Sequence, residues 1–361
     1  MVSWDAVVVG GSVAGSATAR ELARRGLKVA LVEKARFPRP KACGEGLLPQ
    51  GVAALREAGF EPEGVRVRGL RFVSPSGATA EADFPGGHGL VVRRERFDEA
   101  LFRAAASTPG VTAYEETPYD ATRFPSRWVI GADGLRSQFH RRPEFQAAPP
   151  ALRRVGISTH ARGLDIDRDR VEVLLHEAGE VYLAPSDGDE ALVACLYRQE
   201  DLPPGATNED RVLHTLLSLQ VLKGRTRGIA FTTPALAVAP LGLRVGSVAS
   251  ENTLLVGDAA GAPDPITGEG MSLAVLSARA AADAVASGRP HDYERERRRL
   301  AAGSEWLGRW LLRAARYPAI ADRVVGSLVE HPELFTKLLE ISGGLRREGD
   351  LTLAEVARLV V

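Results

Sequence analysis

Two stretches near opposite ends of the chain each read as a buried strand, a glycine-rich loop and a helix, and this pairing constrains the fold more than any other feature. In the first, an apolar run at 5–9 feeds Gly10-Gly11-Ser12-Val13-Ala14-Gly15, and a helix follows over 16–25, closed by Gly26. A second strand at 28–32 then ends in Glu33. In such a βαβ unit Gly10 makes the tight turn, Gly15 lets helix and strand pack closely, and Glu33 stands where an acidic residue takes the ribose of a dinucleotide. Ser12 replaces the usual middle glycine, and its hydroxyl can itself meet phosphate. In the second stretch a strand at 253–256 ends at Gly257-Asp258, and a Gly/Pro-rich loop delivers Gly268-Glu269-Gly270 to a long alanine-rich helix. The first-turn amides of that helix lack intrahelical partners and its dipole is positive there, so the site suits an anion or an electron-rich ring edge. Asp258 is placed to accept a sugar hydroxyl.

The intervening chain divides by pattern. A loop at 37–47, FPRPKACGEGL, carries a thiol and a carboxylate that no turn requires. Cys43 and Glu45 are therefore candidates for proton chemistry, the alternative for Cys43 being a small buried hydrophobe. A helix is expected over 50–58, and short strands with turns at Pro75-Ser76-Gly77 and Pro85-Gly86-Gly87 fill 65–92. Arg94 opens a helix with Phe97, Leu101 and Phe102 on its core face, and a strand at 128–131 runs into Ala132-Asp133-Gly134. Strand patterns at 155–159, 171–175, 181–184 and 191–197, a helix at 209–219 and strands within 229–241 suggest a separate sheet. The charge run at 291–299 reads as a solvated helix face. Trp306, Trp310, Leu311, Phe335 and Leu338 mark amphipathic C-terminal helices, for which packing on the body, a lid or a membrane-surface role are the alternatives.

Lys plus Arg and Asp plus Glu both number 46, so no electrostatic footprint for nucleic acid or an anionic membrane exists. Two cysteines build no disulfide framework, no apolar run reaches the roughly 18 residues of a spanning helix, and no signal-peptide pattern opens the sequence. The expectation is a cytoplasmic protein with no transmembrane segment, no nucleic-acid partner and a small-molecule or lipid-like substrate, which leaves room for a peripheral membrane contact.

In order, GGSVAG with Glu33, GADGLRS and VGDAAGAPDPITGEG resemble the three FAD fingerprints of the p-hydroxybenzoate hydroxylase-like flavoproteins, and CGEG and RRERFD extend the resemblance over roughly the first 285 residues. Cys43-Gly44 and Thr267-Gly268-Glu269-Gly270 are most similar to the geranylgeranyl reductase branch. Aromatic hydroxylases carry His and Asn where this chain has Gly261 and Met271. The resemblance implies an α/β fold: a Rossmann-like FAD-binding domain of glutathione-reductase type, with an inserted antiparallel-sheet substrate domain and C-terminal helices. The FAD-binding parts are expected at 1–65, 93–150 and 246–288, the substrate-domain parts at 66–92 and 151–245, and the helical region at 289–361. It further implies FAD contacts from Gly10, Gly11, Ser12, Ala14, Gly15, Glu33 and Lys34, from Arg94, Asp133, Gly134, Gly257 and Asp258, and from Pro265, Gly268, Gly270 and Met271 along the ring. Cys43 and Glu45 become catalytic candidates, and NAD(P)H or another external reductant is expected to recharge the flavin. Two features depart from the relatives. The Tyr-x-Trp-x-Phe-Pro strand of prenyl reductases is reduced to Tyr182-Leu183-Ala184-Pro185, and no tryptophan lies in the Trp-x-Trp-x-Ile-Pro context of flavin halogenases. The implied activity is hydride transfer from flavin N5 to a bulky apolar substrate. The alternatives are an NAD(P)H-dependent monooxygenase acting on a secondary metabolite and a non-catalytic flavin-binding protein.

Overall fold

A computed structural model describes residues 3–150 and 152–360. Five parallel strands form one sheet in the order Thr253–Leu255, Ser126–Gly131, Trp4–Val9, Val29–Val32, Val111–Tyr114. Covered on both faces, two of the inner strands are apolar and buried over residues 6–9 and Val29–Val32 rather than alternating, and Ala6, Val7, Val8, Val29, Ala30 and Leu31 are fully buried. The chain leaves the central strand Trp4–Val9 first to one side and later to the other. Both glycine loops therefore open at the same carboxyl edge, at the point where open α/β sheets bind ligands.

The helices are α1 (Val13–Arg24), α2 (Pro49–Glu57), α3 (Arg94–Ala106), α4 (Asn208–Ser218), α5 (Gly270–Ser287), α6 (Pro290–Ala314), α7 (Pro318–Glu330), α8 (Pro332–Ser342) and α9 (Leu353–Val360). Helix α1 begins at Val13, three residues before the expected start, because Gly10 at φ 106° and an extended Ser12 N-cap reverse the chain at once. Gly15 thus lies inside the first turn. A Cβ there would sit 1.7 Å from the Gly10 carbonyl oxygen, which explains the glycine by contact rather than by flexibility.

The second sheet is built from two separate insertions. Its path runs Thr226–Phe231, Arg154–Leu164, Ala191–Arg198, Gly179–Pro185, Arg170–His176, Gly69–Val73, Thr79–Asp83, and Leu236–Val238 also pairs with Arg154–Leu164. All pairings are antiparallel except Gly69–Val73 with Arg170–His176, which is parallel and joins the two insertions. The sheet expected to be antiparallel is in this respect mixed. Val65–Val67 and Gly89–Val91, expected in the same sheet, pair instead with each other and with Gly46–Leu47. The expected boundary at residue 151 lies outside the described residues.

Helices α7 and α8 pack against Thr79–Asp83, and Phe335 stacks on Phe72 with ring centroids 5.0 Å apart. The charge run at 291–299 is solvated only in part. Tyr293 and Arg297 turn inward on α6 and donate to the carbonyls of Leu255 (2.8 Å) and Gly261 (2.7 Å), so they clamp the second glycine loop from behind. Among the described residues no helix is long and apolar enough to cross a membrane. Phe335→Ala removes a fully buried ring between α8 and the sheet and is expected to cost about 3 kcal/mol, read as a lower urea midpoint.

Candidate active site

The site is built where the carboxyl edge of the parallel sheet meets the second sheet and the C-terminal helices. A cavity of about 270 Å³ lies there, bounded by the first turn of α1, the loop at 37–47, the loop before α5 and the inner faces of α6 and α8. On the nucleotide side, Glu33 accepts from Gly11 N at 2.7 Å and from Ala35 N at 2.9 Å, which fixes the acid at the end of its strand. Lys34 beside it is exposed.

Arg94 and Ser12, both expected to contact FAD, line the cavity and are joined to each other through Asp98. Arg94 is 4% exposed, and its guanidinium grips Asp98 through two bonds of 2.7 Å. It also donates to Ser12 Oγ at 3.0 Å, while Ser12 Oγ donates to Asp98 at 2.6 Å. The cation expected to face phosphate is thus already met by a carboxylate inside the chain, and the Ser12 hydroxyl is engaged. Burial opposes charge on Asp98, but Arg94 and these hydrogen bonds keep its carboxyl below the usual range. Lys41, which the sequence did not single out, stands nearer the cavity, with Nζ 3.4 Å from Asp258.

The two catalytic candidates prove unequal. Cys43 is half-buried and lines the cavity; its amide donates to Ser158 Oγ at 3.0 Å. Glu45 also borders the cavity but is 4% exposed at φ 55°, and both of its oxygens are taken. One accepts from Arg94 N at 3.0 Å, and the other lies 3.0 Å from His160 Nε2. His160 comes from the long strand Arg154–Leu164 and could not be tied to the loop by any local pattern.

The loop before α5 is anchored from the second sheet. Arg154 bridges Glu180 and Asp264, and Tyr182 donates to Ile266 O at 2.8 Å. Burial opposes charge on Arg154, yet the two carboxylates hold its pKa above the ordinary value. Glu269 caps this loop at 7% exposure. Burial pushes its carboxyl up to about 8, against hydrogen bonds from Ser342 and Ser304.

The residues present fit FAD. Asp133 Oδ2 accepts from Gln138 N at 2.9 Å, whereas its Oδ1 is buried without a partner and so offers an acceptor to a ligand hydroxyl. An added Cβ on Gly134, Gly268 or Gly270 would meet nothing within 4 Å, so these backbones face open space. Ala14 and Gly257 sit at the two loop ends beside it, Pro265 and Asp258 are half-buried along the wall, and Met271 is buried in the first turn of α5. Parallel sheet, paired glycine loops and an unfilled acceptor together define an FAD-dependent oxidoreductase.

Comparison with known proteins agrees. The family model for FAD dependent oxidoreductases (DAO) matches residues 5–44. Menaquinone reductase of Mycobacterium tuberculosis is 30% identical over 323 residues, covering 78% of this chain and 76% of that protein. Digeranylgeranylglycerophospholipid reductase 2 of Methanopyrus kandleri is 28% identical over 326 residues, covering 79% and 77%. A flavoprotein/dehydrogenase structure from Cytophaga hutchinsonii superposes with a TM-score of 0.80 at 19% identity, covering 95% of this chain and 93% of that one, which speaks for the fold alone. The chain belongs to the FAD-dependent oxidoreductase family of the menaquinone and digeranylgeranylglycerophospholipid reductases.

Gly15→Val is expected to yield protein without flavin absorbance. Asp133→Asn removes a charged acceptor and should weaken FAD binding about tenfold by titration. Unaltered affinity in both variants would place the cofactor elsewhere.

Proposed function

We propose that the protein is an FAD-dependent reductase acting on an unsaturated bond of a bulky, largely apolar substrate. The observation that carries this reading is the wall of the cavity beyond the glycine loops: Leu70, Phe72, Val173, Trp310, Leu328 and Phe335 bound a space that a polar metabolite would enter at a desolvation cost. Two of the relatives that match over three quarters of the chain are named for menaquinone and for digeranylgeranylglycerophospholipid, both isoprenoid lipids. When bound, FAD supplies hydride from its reduced ring at N5.

The chain's own residues then have separable tasks. Asp133, Asp258 and the α1 N-terminus bind the nucleotide. The amides of 268–271 would line the ring, where a helix N-terminus would stabilise negative charge on the reduced form. Cys43 carries a proton beside the acceptor, and Glu45 holds its loop against α3 and His160. The apolar wall excludes water. NAD(P)H or another external donor recharges the flavin, without a second glycine-rich strand–helix site of its own in this sequence.

Anaerobically reduced holoprotein mixed with a short-chain isoprenoid quinone or a polyprenyl lipid is expected to reoxidise and give a product richer by two hydrogens. No anaerobic turnover, with a product richer by one oxygen after admission of air, would favour the monooxygenase reading. Cys43→Ala should keep FAD and slow product formation about 10²-fold. An undiminished rate would make the loop purely structural.

A further inference from the structure

Glu269 is the one group at the cavity that the reductase reading leaves without a task. Glu269 is the N-cap of α5, between Gly268 and Gly270, in the cavity wall. Ser342 of α8 donates to it, and Ser304 of α6 hydrogen-bonds it as well. These three residues also border the main cavity. No charged side chain of α2, α6 or α8 acts on the carboxyl among the described residues, so nothing compensates an ionised form. The group is therefore a neutral acid in the neutral pH range, since burial raises its pKa to about 8.

A second, narrow pocket of about 20 Å³ also borders Glu269 and adjoins the main cavity. It is bounded by Gln50 of α2, Phe84 and Pro85 after the strand Thr79–Asp83, and Gly343 and Leu345 beyond α8, with Leu345 exposed at its rim. That volume suffices for one water, and Glu269, Thr267 and Ser342 are the polar residues among those it shares with the main cavity. A carboxyl held by two hydroxyls and bordering both a water-sized pocket and the main cavity is what a proton needs to pass between them.

The geometry points to Glu269 as a proton-relay residue, taking protons from solvent through the narrow pocket under α8 and passing them into the substrate cavity. The inference rests on the reductive reading above. Reduction adds a hydride and a proton across the unsaturated bond: the hydride and its electron pair come from reduced flavin, and the balancing proton is drawn from the cavity. The Glu269 carboxyl replaces that proton, and water in the narrow pocket returns one to the carboxylate. The rate should hold below pH about 8 and fall above it, because only the protonated acid can give a proton.

Glu269→Gln keeps the shape and hydrogen-bonding groups for both serines and loses only the ionisable proton. Holoprotein of this variant is expected to retain FAD, to reduce an isoprenoid quinone about 10²-fold more slowly, and to lose the alkaline fall in rate. Infrared spectra need no substrate. The parent should show a protonated-carboxyl C=O band, absent from Glu269→Gln, displaced in Ser342→Ala, and shifting within seconds of transfer to D2O. A parent-like rate and pH profile in Glu269→Gln would overturn the relay while leaving the reductase standing. If neither protein reduces the acceptor, the reductive reading fails, and the infrared exchange still decides the relay. A band that resists D2O for hours, or no such band at neutral pH, rules it out. Should Glu269→Gln fail to hold FAD, the Ser342→Ala displacement and exchange are read instead.

Discussion

The buried Arg94–Asp98 pair is the joint on which the rest of the site depends. It lies where four segments meet. The guanidinium holds Asp98 one helical turn away and Ser12 at the start of α1, and the Arg94 amide holds Glu45. Glu45 in turn reaches His160 of the second sheet, and Cys43 N reaches Ser158 two residues earlier on the same strand. Two charges removed from water are tolerated only because each finds the other with good geometry and further hydrogen bonds. Deleting one partner of such a pair costs about 3–5 kcal/mol. Loss of Arg94 would therefore loosen the nucleotide loop, the Cys43 loop and the second sheet together.

The same principle shapes the electrostatics of the cavity. The charged groups along it are met locally: Arg94 by Asp98, Lys41 by Asp258, Asp264 by Arg154, and Glu45 by the Arg94 amide and His160. Little net field is left to attract a charged metabolite, and the remaining wall is aromatic and aliphatic. Burial without a counter-charge raises a carboxyl's pKa, as it does for Glu269. Helices α7 and α8 pack on the second sheet and α6 packs on α5 and α8, so the C-terminal region closes the cavity rather than standing apart from it.

The glycine loops were legible because their chemistry is local. A tight turn, a close helix crossing and a strand-end acid are fixed by spacing along some thirty residues, and Gly10, Gly15 and Glu33 occupy them as expected. The start of α1 was misplaced by three residues, since a loop that reverses at one glycine looks longer in sequence than it is in space. His160, Lys41, Ser304 and Ser342 left no comparable trace. Each acts on a residue from 73 to 217 positions away or joins elements whose packing no periodicity encodes. Arg94 was visible as a helix-opening cation, yet its partner four residues on decides its role: a free arginine binds phosphate, and a paired one holds loops together. The inserted sheet was legible strand by strand, whereas the parallel pairing of Gly69–Val73 with Arg170–His176 depends on a contact across about a hundred residues.

The apolar cavity beside the flavin motifs carries the functional reading, and ligand length probes it most directly. A series of isoprenoid quinones with successively longer tails can be titrated into oxidised holoprotein and followed by perturbation of the flavin absorbance. Each buried methylene is worth about 0.8 kcal/mol, so affinity should climb steeply with the first added units and level off once the cavity is filled. Affinity that ignores tail length, in protein that binds FAD normally, would contradict an apolar substrate site between the second sheet and the C-terminal helices.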